Sequence, residues 1–81
     1  MIISKAAPER ALVLVANADQ RDQACARLSR DGYEVLGFAD CENAVAWLEE
    51  ETPTIAVIDG DLMPGCSGVL NVLGERGVLL V

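Results

Sequence analysis

The chain has 81 residues, enough for one small domain and near the lower size at which a single hydrophobic core suffices. Thirteen acids against six bases give a formal net charge of -7, which repels phosphate backbones and anionic lipid surfaces and argues against nucleic-acid binding. No apolar run approaches the roughly 20 residues of a membrane span, and Met1-Ile2-Ile3-Ser4-Lys5 lacks the charged start and long apolar segment of a signal peptide, so a soluble cytoplasmic protein is expected.

With 52% hydrophobic residues but one Trp, one Tyr and one Phe, the core must be aliphatic. That composition suits a parallel sheet, whose strands read as unbroken apolar runs because helices cover both faces. Residues 1–10 mix apolar and charged residues without a period and contain Pro8, so they read as a flexible arm, and the domain is expected over 11–81. Ala11 to Ala16 is a continuous apolar run of strand length. Asn17-Ala18-Asp19 supplies loop and capping chemistry, with Asp19 as a capping residue, for a polar helix carrying Ala24, Cys25 and Leu28 and stopping at Asp31-Gly32.

Tyr33 to Phe38 predicts a second strand, and Asp40 is the expected cap of a helix with Cys41, Ala44, Val45 and Leu48 on its apolar face. Glu49, Glu50 and Glu51 close that helix at the end where negative charge is unfavourable. Thr52-Pro53 breaks the helix, and Thr54 to Asp59 forms a third strand. A third helix is expected from Ser67 to Arg76, with Val69, Leu70, Val72 and Leu73 as core and Gly77 as its stop, before a fourth strand over 78–81. The alternation of strands and helices implies an α/β protein with a doubly wound parallel sheet. Tyr33 and Trp47 are expected to pack in or at the rim of the core.

Cys25, Cys41 and Cys66 are odd in number, are far apart and have no histidine for company. Neither a disulfide framework nor a zinc site is expected, and the cysteines, Cys66 excepted, read as buried hydrophobes in a reducing compartment. Cys66, flanked by glycine, is the one expected to be exposed.

Ile55-Ala56-Val57-Ile58-Asp59-Gly60-Asp61 ends a buried strand in acids, and Met63-Pro64-Gly65-Cys66-Ser67-Gly68 follows as a turn-rich loop. Together with Gly32-Tyr33-Glu34-Val35, Ala39-Asp40 and Ala44 at their spacings, these segments resemble the receiver domains of two-component response regulators. One extra residue lies between Asp59 and Pro64. The resemblance covers residues 11–81 and implies a flavodoxin-like sheet of order 2-1-3-4 with three helices, shortened relative to the family. It also implies that Asp59 stands where receivers accept a phosphoryl group from a kinase histidine, with Mg2+ held by an acidic pair after the first strand. Here that place reads Val15-Ala16-Asn17, so Ala16, Asn17 and Asp61 are positions of a degenerate acidic pocket, and no metal site is expected. The switch Ser or Thr and the lysine-bearing strand of the family would fall beyond Val81.

The expected function is a pseudo-receiver, a non-enzymatic interaction module of bacterial two-component signalling or a phosphorelay, without a cofactor. Its partner would be a histidine kinase or another regulator. One alternative is a phosphoacceptor modified on Asp59, with Mg2+ held by Asp59, Asp61, Asn17 or a partner chain. A second is a small flavodoxin-like ligand-binding domain whose cleft is lined by Asp59-Gly60-Asp61 and Gly65-Cys66-Ser67-Gly68, and a third is a fragment without activity of its own. The resemblance leaves the fourth strand as an edge with unpaired backbone groups and apolar side chains, so a homodimer is expected.

Overall fold

The computed structural model describes residues 9–62 and 65–81. Its elements run β1 (Arg10–Leu14), α1 (Ala18–Arg30), β2 (Glu34–Phe38), α2 (Cys41–Leu48), β3 (Ile55–Ile58), a 3-10 turn (Gly60–Leu62), α3 (Ser67–Glu75) and β4 (Leu79–Leu80). The four strands form one parallel sheet in the order β2-β1-β3-β4. The expected α/β alternation, strand order and three helices are therefore present. The expected arm falls, for residues 1–8, outside the described residues, and Arg10 already belongs to β1.

Alternate residues of β1 enter two separate cores, as the two-residue period of a strand requires. Leu12 and Leu14 join Ala44, Leu48, Ala56, Val69, Leu73 and Val78 under α2 and α3. Ala11, Val13 and Val15 join Leu28 and Ile55 under α1. Trp47 and Phe38 pack at the edge of the first core with ring centroids 6.2 Å apart, and Tyr33 packs against the second. Val69 and Leu73 are buried as expected, while Val72 and Leu70 are half-buried.

Local chemistry places the helix ends. Asn17, in extended conformation, caps α1 by accepting from the Gln20 N–H at 2.9 Å. Asp19 lies inside the first turn, so its expected capping role passes to Asn17, because β1 ends at Leu14 and the helix begins at Ala18. Asp40 caps α2 through the Asn43 N–H at 3.0 Å.

Gly32, at φ +99°, ends α1 in the left-handed conformation that glycine adopts without a Cβ penalty. Tyr33 N–H then bonds Leu28 O, and Gly32 N–H bonds Ser29 O. The same arrangement ends α3 at Gly77 (φ +71°), where Val78 N–H reaches Leu73 O at 2.9 Å and both side chains share one core.

The acidic end of α2 is compensated by cations from elsewhere in the chain. Arg76 Nη1 donates to Leu48 O, Glu51 O and Thr52 Oγ1 at 2.6, 3.1 and 3.1 Å. Glu51 pairs with Arg10, which also binds Glu34 at 3.0 Å. Glu49 and Glu50 are exposed as expected, whereas Glu51 is half-buried in this network.

Cys41 and Cys66 depart furthest from expectation: they form a disulfide, with Cα atoms 5.5 Å apart. Packing of α3 beside α2 on one sheet face brings the two helix starts together, an effect of tertiary structure that a separation of 25 residues conceals. Cys66 is 1% exposed, so its glycine neighbours do not open it to solvent. Cys25 remains a free thiol, half-buried on the sheet-facing side of α1.

Candidate functional site

The strands β1 and β3 are neighbours, and Leu14 and Ile58 are partners in register. Asp59 and the Ala16-Asn17 pair therefore leave the carboxyl edge of the sheet side by side. α1 lies on one face while α2 and α3 lie on the other, so this edge is where chain connections diverge to opposite faces. Such divergence opens a crevice in α/β sheets.

Asp59 is held at this edge by its backbone. Its N–H donates to Leu14 O at 2.9 Å, and its carbonyl accepts from Leu62 N–H at 3.1 Å. Its side chain turns back on the chain, with Oδ1 accepting from Asp61 N–H at 2.9 Å. That bond is the Asx-type geometry that aspartate makes in turns without any ligand. The Asp61 side chain is exposed, and Asp59 is half-exposed.

Ala16 offers no donor or acceptor beyond its backbone. Asn17 has its amide oxygen committed to Gln20 N–H as a helix cap. Arg21, one turn into α1, was not singled out by its sequence context. Its Nη1 donates to Val15 O at 2.9 Å and Ala16 O at 3.3 Å, placing positive charge on the carboxyl end of β1. A long side chain reaching backbone carbonyls leaves no pattern in the sequence beyond the charge itself.

The Mg2+ implied by the receiver resemblance can be tested against this donor set. A hard dication takes carboxylates and waters, which neutralise it. Asp59 Oδ1 is engaged by Asp61 N–H, the Asp61 side chain is exposed, the Asn17 amide oxygen caps α1 and a guanidinium sits on the Val15 and Ala16 carbonyls, and this set does not fit. Among the described residues no group of three or more His, Cys, Asp or Glu converges on one point. Met63 and Pro64 of the turn-rich loop lie outside the described residues.

Two surface depressions occur elsewhere. One, open and about 500 Å3, runs along α1 past Gln20, Gln23, Arg27 and Arg30. The other, about 60 Å3 and apolar, lies between Val45, Leu48 and Val72. Asp59-Gly60-Asp61 and Gly65-Cys66-Ser67-Gly68 line neither.

At the far edge of the sheet, β4 pairs with β3 on one side. Leu79, Leu80 and Val81 are 61, 50 and 61% exposed. No described helix is long and apolar enough to cross a membrane. No protein-family model, curated protein or solved structure matches this chain.

Proposed function

We propose that this chain is a flavodoxin-like pseudo-receiver, a non-enzymatic interaction module of two-component signalling that works in the cytoplasm. The observation that carries the proposal is Asp59 at the carboxyl end of an inner strand of a 2-1-3-4 parallel sheet, beside Ala16 and Asn17 where receivers hold an acidic pair. The Arg21 guanidinium on the Val15 and Ala16 carbonyls further supports loss of the metal-dependent step, since it repels a cation from that edge. The partner is another signalling protein or a second copy of the chain. Pairing of two β4 edges satisfies their free backbone groups and covers Leu79, Leu80 and Val81.

The chain incubated with Mg2+ and acetyl phosphate, then weighed intact by mass spectrometry, is expected to gain no phosphoryl group. A Mg2+-dependent adduct that disappears in Asp59→Asn overturns the proposal in favour of a phosphoacceptor. For association, light scattering at micromolar concentration is expected to give a dimer that Leu80→Lys dissociates. A monodisperse monomer for the unaltered chain refutes pairing through β4.

A further inference from the structure

Cys41 opens α2 and Cys66 caps α3, so the bond between them ties together the amino-terminal ends of two neighbouring helices. Those ends carry the positive poles of the helix dipoles, which stabilise a thiolate and make cysteine a better leaving group. The two sulfur-bearing residues differ in access. Cys66 is 1% exposed within the core of Leu12, Leu14, Val69 and Leu73, while Cys41 is half-buried at its margin. An incoming thiolate meets Cys41 first.

We propose that Cys41 and Cys66 form a reversible thiol–disulfide couple, attacked at Cys41 by small or protein thiols, whose oxidation state sets how firmly the start of α3 is held to α2. In the reductive direction, a thiolate bonds to Cys41 Sγ, the Sγ–Sγ bond breaks, and its electron pair leaves on Cys66 Sγ, which takes a proton from water. A second thiolate attacks the attacker's sulfur in the mixed disulfide and releases Cys41 as a thiolate. The balance is one protein disulfide and two thiols giving one protein dithiol and one external disulfide. A small disulfide runs the exchange backwards.

The rest of the fold does not need the bond. Far from it, α3 is fixed by Leu73 and the Gly77 stop, and α2 by Leu48 and the Arg76 hydrogen bonds. A reduced Cys66 remains a small apolar side chain in the same core. Cys25 belongs to α1 on the other face of the sheet and does not compete. The inference rests on this geometry and stands whether or not the receiver reading holds.

The test uses the whole chain carrying Cys25→Ser, equilibrated in mixtures of reduced and oxidised glutathione and then unfolded in urea with a maleimide, so that every reduced thiol is counted whatever its burial. Both remaining thiols are expected to be labelled under excess reductant and neither under excess oxidant, through repeated cycles. Reduction is expected to speed amide exchange over residues 66–70 by at least about tenfold through local opening, while residues 11–15, which open only with the whole domain, stay the more protected of the two. Labelling of both thiols under oxidant, failure to cycle, or residues 66–70 that remain as protected as β1 after reduction overturns the proposal. In single-thiol chains, Cys25→Ser/Cys66→Ala is expected to take glutathione on Cys41, and Cys25→Ser/Cys41→Ala to leave Cys66 unmodified. The opposite preference overturns attack at Cys41.

Discussion

Among the described residues, nine buried side chains form one core beneath α2 and α3, bordered by Phe38 and Trp47 and crossed by the Cys41–Cys66 bond. Five form the core beneath α1, and of the 13 residues of that helix only Leu28 is buried. The faces are held unequally. Both use end-caps and an arginine, Asn17, Gly32 and Arg21 on one and Asp40, Gly77 and Arg76 on the other, but only the α2–α3 face adds a thick core and a covalent link. Ile55 faces the α1 side and pairs with Leu79, so the exposed Leu79 extends the thinner face toward the sheet edge. An uneven two-layer domain of this kind has its open surface where it is least packed.

Truncation on each face gives the sharpest measure of that difference. Leu73→Ala removes a fully buried side chain from the thick core and is expected to cost about 4 kcal/mol, against about 2 kcal/mol for Leu28→Ala. Urea unfolding of the two variants measures both. Equal losses would mean that α1 is packed as tightly as its neighbours across the sheet.

The disulfide is expected to rank next. Closing a loop with a sequence separation of 25 residues contributes about 3 kcal/mol through the unfolded chain. Reductant should lower the urea midpoint of the native chain accordingly and leave Cys41→Ala unmoved. A shift that persists in Cys41→Ala would assign the effect to something other than this bond.

The two bridging arginines extend the comparison to polar contacts. Arg76 meets three acceptors at the end of α2, where it also offsets the acidic run, while Arg21 meets two carbonyls on the α1 side. Arg76→Met is expected to cost about 2 kcal/mol and Arg21→Met about 1 kcal/mol, since hydrogen bonds from charged donors exceed neutral ones and both sites are partly solvated. A reversed order in denaturation would show that the α1 side depends more on its arginine than the α2–α3 side does.

The elements that local chemistry punctuates were readable from the chain. Asp40, Gly32, Gly77 and Thr52-Pro53 each act on their own neighbours, so strand and helix order follows from them. Two capping residues two positions apart, Asn17 and Asp19, left the start of α1 to be settled by where β1 stops pairing. The Cys41–Cys66 bond and the Arg76 contacts link residues 25 and 28 positions apart, and only the packing of α3 on α2 brings them together. At the candidate site, the place of Asp59 at a strand end was legible from the apolar run before it. The Asp61 hydrogen bond and the Arg21 guanidinium, which decide what that edge can bind, were not.

The cysteines carry the same contrast into reactivity, where the expected effect is smallest in energy. Burial between α1 and the sheet pushes the Cys25 thiol above its ordinary value of 9.0, Asp22 adds to the rise, and Arg21 opposes it. The folded chain thus favours the neutral thiol. That small contribution to stability is fully present below the unfolded value and is lost as pH rises through the folded one. In the disulfide-bonded protein Cys25 is the free thiol, so its alkylation rate against pH reports this titration directly. Its midpoint is expected above that of an isolated peptide spanning residues 18–30, lowered by Asp22→Asn and raised by Arg21→Met. If the midpoint matches that of the peptide, the thinner face differs from the other in packing but imposes no chemistry of its own on sulfur.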